Sequence, residues 1–219
     1  QDIVSTIEDK EKASAFVINP TKQLSKLPKL TTMKLFFSGN LKNQLIKEFK
    51  PVHVHFTTGT TATSIPVLYT QHDLSKLRQA AQRIMQLINI PTTARVVNAF
   101  PFAPHLAFWQ TVYATNEIGI FGLHTGGGKV MGTKQIMFMI EHMQAEALIG
   151  MPSYIYHIAT EAKGMDFSNL KYIILGGETI VPGFVDKLKS LLKECNAHVQ
   201  VYSTYAFTEG KVAWAQCNE

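Results

Sequence analysis

Three short segments hold the residue types that could grip a charged ligand. Thr57, Thr58, Gly59, Thr60, Thr61, Ala62, Thr63 and Ser64 form a run of hydroxyls around one glycine. Glycine lets backbone approach a phosphate closely, and consecutive hydroxyls and amides donate hydrogen bonds to its oxygens. A Thr-rich surface turn would have the same composition, and no GKS or GKT follows, which disfavours kinases or GTPases of the Walker class. Gly176, Gly177, Glu178 and Thr179 follow the apolar run KYIIL. Two glycines clear space for a flat ring against backbone, and the acid and hydroxyl could hold ribose or amino hydrogens; the plain alternative is a strand-to-helix turn with an accidental Glu. Tyr205, Ala206, Phe207, Thr208 and Glu209 come directly after HVQVYS. A carboxylate beside a hydroxyl suits Mg²⁺ and a phosphate oxygen together, because hard cations choose oxygen ligands; the plain alternative is a solvated Glu.

The elements that must position these segments alternate along the chain. VHVHF before the first loop reads as a strand, and Thr70 with Asp73 makes a capping-box-like start for a helix over about 71 to 88 carrying Leu74, Leu77, Ala81, Ile84, Met85 and Ile88 on helical spacing. Then come a strand RVVNAF, a helix HLAFWQTVYATN, a strand EIGIFGL and the glycine turn HTGGGK. Thr133 reads as the cap of a helix whose Ile136, Ile140, Met143 and Ala147 share a face, EALIGM as strand-like, and Pro152 as a first-turn residue of the helix SYIYHIATEAK. KYIIL is a buried strand, VPGFVDKLKSLLKEC a helix and HVQVYS a strand that ends in TYAFTEG. Repeated strand, loop and helix units predict an α/β fold with a mostly parallel sheet and flanking helices on both sides. Ligands in such sheets collect at the carboxyl ends of the strands, where all three segments fall.

Of 219 residues, 46% are hydrophobic and 17% charged, which fits a globular chain with a sizeable core. No run is apolar enough for a membrane span and QDIVSTIEDKEK lacks a signal-peptide core, so the expected compartment is the cytoplasm. Of the net charge of +5, +4 sits in residues 1–50, a leading segment with nine Lys against five acids; the remainder has twelve Lys plus Arg against eleven acids. Without aromatic interleaving this reads as a solvated segment and not as a nucleic-acid surface. Cys195 and Cys217 read as small buried hydrophobes or surface thiols, not a disulfide or metal pair. His105 and His124 lie near loops and read first as satisfied structural histidines, with substrate contact the alternative; Met137, Met139 and Met143 read as packing, Phe108 as core, and Phe102 as a loop residue able to line a pocket.

The three segments, in this order and spacing, resemble the adenylate-forming enzymes, specifically their phenylacetate–CoA ligase-like branch. TTGTTATSIPVLYT at 57–70 is similar, without a gap, to that family's SSGTTGKPTVVGYT, and His55 to a histidine before the family loop. GGET resembles its GxEP, YAFTE its YGLTE or YGLSE, HTGGGK a family glycine turn, and MPSYIYHIAT its TPSY helix start; the likeness runs from about Leu27 to the end. The resemblance implies part of the large N-terminal domain of such an enzyme: 1–50 as leading segment, 51–219 as a partial AMP-binding domain without the family's mobile C-terminal domain. It implies ATP-dependent activation of a carboxylic acid to an acyl-adenylate and then thioester formation with coenzyme A. In this reading Thr57, Thr58, Gly59, Thr60 and Thr61 hold the phosphates; Gly177, Glu178, Thr179, Ser203 and Tyr205 border the nucleoside; Thr208 touches the α-phosphate and Glu209 coordinates Mg²⁺; Phe102, His105, Tyr154 and Ala206 border the acid. Implied partners are ATP, Mg²⁺, coenzyme A and a small carboxylic acid, with a homodimer left open.

Some positions depart from the family pattern. Ala62 stands for the loop's last glycine, Thr63 for its lysine, Ser64 for its proline and Ala206 for the glycine of YGLTE. A cation near the leaving pyrophosphate is thereby missing, and a methyl group enters the acyl side. These replacements motivate an alternative: a degenerate, non-catalytic nucleotide- or acyl-binding homologue acting as an interaction module.

Overall fold

In a computed structural model of the chain, the described residues are 51–57 and 65–216. The expectations for Thr58, Gly59, Thr60, Thr61 and Cys217, and for the leading segment, lie outside them. The chain divides into two compact units at Leu74/Ser75.

In the first unit, β1 (Pro51–Phe56) and β2 (Pro66–Thr70) pair antiparallel, with His55 opposite Val67. IPVLY was not among the expected strands, and VHVHF therefore opens a hairpin instead of a parallel strand–helix unit. The hairpin closes at its stem: the Thr57 N–H donates to Ile65 O at 3.0 Å and the Ile65 N–H to Thr57 Oγ1 at 3.0 Å. Thr57 thus uses its hydroxyl to tie the two ends of the Thr-rich segment. The capping box is present as read: the Asp73 N–H donates to Thr70 Oγ1 at 3.2 Å, and Asp73 Oδ2 accepts the Thr70 N–H at 2.8 Å. It starts α1 (Gln71–Leu87).

The second unit alternates β3 (Arg95–Asn98), α2 (Leu106–Ile118), β4 (Phe121–His124), α3 (Thr133–His142), β5 (Ala147–Gly150), α4 (Pro152–Glu161), β6 (Tyr172–Leu175), α5 (Phe184–Lys193), β7 (Gln200–Phe207), a short 3₁₀ turn at Thr208–Gly210 and β8 (Val212–Ala215). Sheet order is β4-β3-β5-β6-β7-β8; only the β7–β8 pair is antiparallel. Successive strand residues point to opposite faces. Val97, Leu148 and Ile173 therefore join Ile136, Ile140, Ile155, Ile158, Leu188 and Leu192 of α3, α4 and α5 in one cluster. Val96, Ile149 and Ile174 join Ala81, Met85, Phe108 and Ala114 of α1 and α2 in the other.

Several expected boundaries shift for physical reasons. Glu117 and Ile118 finish α2, because Gly119 at φ 69° ends the helix in the left-handed region before β4 begins. Gly132 occupies the N-cap of α3 with no side-chain cap, so Thr133 is its first helical residue, and Met143 is its C-cap. Ala147 lies in β5, off the helix face assigned to it. Residues 204–207 extend β7 and pair with β8, so Tyr205, Ala206 and Phe207 belong to a strand ribbon and not to a loop. Cys195 is buried, its thiol donating to Ala162 O at 3.2 Å, and burial raises its pKa.

Candidate functional site

The strand order reverses between β3 and β5. The chain leaves β3 towards α2, which packs in one core cluster, and leaves β5 towards α4, which packs in the other. Loops that diverge this way open a crevice at the carboxyl ends of the two strands, the position where parallel sheets take ligands. Residues 99–105 follow β3 and the start of α4 follows β5 at that position.

Of the residues that the resemblance assigns to the acid, Phe102 and His105 stand in the segment after β3 and Tyr154 in the first turn of α4. Phe102 is 60% exposed, its ring meeting Phe108 edge-on at 5.3 Å, while Phe108 is core. His105 holds the N-cap position of α2 with extended backbone, φ −102° and ψ 148°. Tyr154 is half-buried, its Oη 3.2 Å from Thr133 Oγ1. Between them lies the glycine turn after β4. Gly126 and Gly127 are buried at φ 72° and 77°. A Cβ on Gly126 would stand 3.2 Å from Phe102 Cβ, one on Gly127 3.0 Å from Pro101 Cα, and one on Gly128 2.5 Å from Tyr154 Oη. Glycine is required because the backbone of one segment rests on the next.

A cluster that the sequence did not single out locks these segments together. Asn98, fully buried, ends β3: its Nδ2 donates to Phe108 O at 3.2 Å and faces His124 Nδ1 at 3.2 Å, and its Oδ1 accepts the Phe100 N–H at 3.1 Å. His124 Nε2 lies 3.4 Å from Thr115 Oγ1. Thr125 donates both its N–H and its hydroxyl to Asn98 O, and the Phe102 N–H donates to Gly126 O at 2.9 Å. Burial lowers the His124 pKa, so the ring is neutral near neutral pH. Asn98 left no trace in the sequence beyond a polar residue after Val96 and Val97. His124 is thus the structural histidine the sequence reading favoured.

The two remaining segments end neighbouring strands. β6 and β7 pair with Leu175 opposite Ser203, and Thr204 Oγ1 donates to Leu175 O at 2.9 Å. A Cβ on Gly176 would come 2.5 Å from Thr204 Oγ1, which is why no side chain fits there. Gly177 turns at φ 83°, and Glu178 and Thr179 stand exposed. Glu178 accepts from the Ser153 N–H at 2.9 Å and hydroxyl at 2.7 Å, capping the first turn of α4 with negative charge. Ser203 Oγ donates to Gln216 Oε1 at 3.1 Å. Strand alternation puts Tyr205 and Ala206 on opposite faces of the ribbon. Tyr205 is 67% exposed and shares its face with Phe207 and Trp214, at ring separations of 6.0 and 6.1 Å. Thr208 is buried and Glu209 half-buried in the 3₁₀ turn.

Among the described residues no group of three His, Cys, Asp or Glu side chains could cage a metal. A lone carboxylate such as Glu209 fits the habit of Mg²⁺, which binds through one or two carboxylates together with substrate phosphates and waters.

A mostly parallel sheet with flanking helices, whose strand order reverses between β3 and β5, matches the large N-terminal domain of adenylate-forming enzymes. The profile of the family described as AMP-binding enzyme matches residues 3–218, and the chain belongs to that family. Its fold is similar to a 2-hydroxyisobutyryl-CoA ligase solved in an open conformation with 2-HIB-AMP and CoA (TM-score 0.62, 22% identity, covering 71% of this chain and 33% of that one). It is also similar to a long-chain-fatty-acid–CoA ligase from Archaeoglobus fulgidus (TM-score 0.66, 17% identity, covering 80% and 35%). A third likeness is to the adenylation domain of a keto acid-selecting NRPS module bound to keto acyl adenylate (TM-score 0.61, 13% identity, covering 75% and 31%). No curated protein matches significantly. The chain spans about a third of the length of these solved structures. No described helix is long and apolar enough to cross a membrane.

Proposed function

We propose that the chain is the nucleotide- and acid-binding part, spanning 51–219, of a cytoplasmic ATP-dependent carboxylate–CoA ligase of the phenylacetate–CoA ligase-like branch. Beyond family membership, one observation supports this reading: the strands that lead into GGET and YAFTE, far apart in sequence, are parallel neighbours, with Thr204 Oγ1 bonded to Leu175 O just before each motif.

The assignment of roles follows. Thr57, Thr58, Gly59, Thr60 and Thr61 take the phosphates; Gly177, Glu178, Thr179, Ser203 and Tyr205 border the nucleoside; Phe102, His105, Tyr154 and Ala206 border the acid. A carboxylate oxygen attacks the α-phosphorus, the bond to the pyrophosphate oxygen breaks, and an acyl-adenylate forms; the thiolate of coenzyme A then attacks the acyl carbon and AMP leaves. Two anions must meet in the first step, so oriented donors that match the developing charge carry the rate. Thr208 donates to the α-phosphate, and Glu209 holds Mg²⁺, which when bound neutralises phosphate charge. A homodimer is compatible with this reading.

Acid-stimulated exchange of pyrophosphate into ATP, measured on the full-length protein across a panel of aromatic and aliphatic acids, tests it. Stimulation by an acid, with thioester formed on adding coenzyme A, is the expected result; no exchange with any acid overturns it. The second reading, a non-catalytic nucleotide- or acyl-binding module, is favoured by Ala62 and Thr63 and by the Glu178 carboxylate already engaged by Ser153. It predicts saturable nucleotide or acid binding without exchange.

A further inference from the structure

We propose that His124 is a positioning residue: clasped between Asn98 and Thr115 as a neutral imidazole, it holds the Asn98 amide in the one orientation that fixes residues 99–105, and so presents Phe102 and His105 to the acid in a single arrangement. The proposal rests on the reading that this loop borders the acid.

The Thr115 hydroxyl has one hydrogen, donated back along α2 to Thr111 O at 3.0 Å or Val112 O at 3.1 Å. Its lone pairs therefore face His124 Nε2, which must carry the ring proton. Nδ1 is then an acceptor, and the Asn98 Nδ2 group 3.2 Å away donates to it. The second Nδ2 hydrogen goes to Phe108 O, and Oδ1 is left to accept the Phe100 N–H. A flipped amide would set oxygen against both acceptors and an NH₂ group against the Phe100 N–H. One side chain thus ties the first turn of α2 to the start of the loop, and the ring adds a third contact that holds that side chain in the same orientation. Gly122 makes room for the clasp: a Cβ there would stand 3.1 Å from His124 Nε2 and 3.2 Å from Thr115 Oγ1. Because Asn98 is fully buried, an Nδ2 hydrogen that loses its acceptor has no water to turn to.

The test uses the full-length protein with His124→Ala, His124→Asn, which restores an acceptor near the Nδ1 position, and Phe121→Ala as an exposed control on the same strand. Nitrogen NMR of the wild-type ring should show Nδ1 unprotonated and Nε2 protonated. His124→Ala should speed hydrogen exchange at the Phe100 amide by about tenfold, the loss of roughly one hydrogen bond. It should also raise KM for the acid while leaving KM for ATP unchanged. His124→Asn should recover most of both effects, and Phe121→Ala should show neither. Unchanged Phe100 exchange in a folded His124→Ala variant, or a wild-type ring protonated at Nδ1, overturns the proposal. Should His124→Ala fail to fold, the wild-type ring nitrogens still decide it. If no acid stimulates wild-type exchange the ligase reading falls, while the amide and ring measurements continue to judge the clasp.

Discussion

The two ends of the parallel sheet treat polar groups in opposite ways. At the amino ends of β3, β5 and β6, Glu146 draws its neighbours inward: it accepts the Arg95 N–H at 3.2 Å, lies 3.6 Å from Lys171 Nζ, and exchanges backbone bonds with Arg95, Lys171 and Tyr172. At the carboxyl ends, glycines at 126, 127 and 177 take positive φ, and Glu178, Thr179 and Tyr205 face outward. One end uses its charges to join strands; the other uses bare backbone to bring loops together and leaves side chains available. Strand direction accounts for this, since a parallel sheet gathers all its strand-to-helix turns at one end.

The sharpest way to break the contrast is Glu209→Gln. It should cut acid-stimulated pyrophosphate exchange by roughly 10²–10³-fold, the scale of losing one group that meets developing charge. Thermal unfolding should barely move, and an unchanged rate removes Glu209 from its role. Next comes Gly127→Ala, which meets both a φ of 77° and the Pro101 backbone 3.0 Å away. A loss of about 3 kcal/mol in urea unfolding is expected from strain plus overpacking. Gly119→Ala, before β4 at the quiet end, has φ 69° but open space around its Cβ. It should cost only about 1 kcal/mol, the backbone penalty alone; equal losses at the two glycines would erase the distinction. Glu146→Gln keeps an acceptor and drops the charge, so stability should fall by about 0.5–1 kcal/mol with exchange activity per folded molecule unchanged.

The smallest effect is with pH. Burial holds the His124 pKa below its ordinary 6.5, so between that value and the folded one the unfolded chain binds more protons. The His124 contribution is therefore complete above about 6.5 and declines as the pH falls through the window below it. Urea midpoints followed from neutral to mildly acidic pH should show a decline that His124→Asn lacks.

Much of the alternating order was readable from periodicity. The apolar runs of β5 and β6, the helical spacing of α1 and Pro152 at the first turn of α4 all stand as expected, because burial on both sheet faces and helix initiation leave local marks. Missed features depended on distant partners. β2 and β8 are short strands that exist only through antiparallel pairing, so PVLYT and VAWA carry little signal alone. Thr133 looked like a cap because its type suits one, yet its hydroxyl meets Tyr154. The roles of Phe102, His105 and Tyr154 came from the motifs, whereas the Asn98–His124–Thr115 clasp joins three elements and leaves no spacing to read.

By itself the sequence determined most of the elements and their order, since hydrophobic periodicity and glycine placement act over a few neighbouring residues. Tertiary structure alone decided where the strand order reverses, which strands become neighbours, and that Asn98 and His124 meet. Those outcomes depend on groups far apart in the chain competing for the same buried donors and acceptors, and local composition cannot express which of them meet.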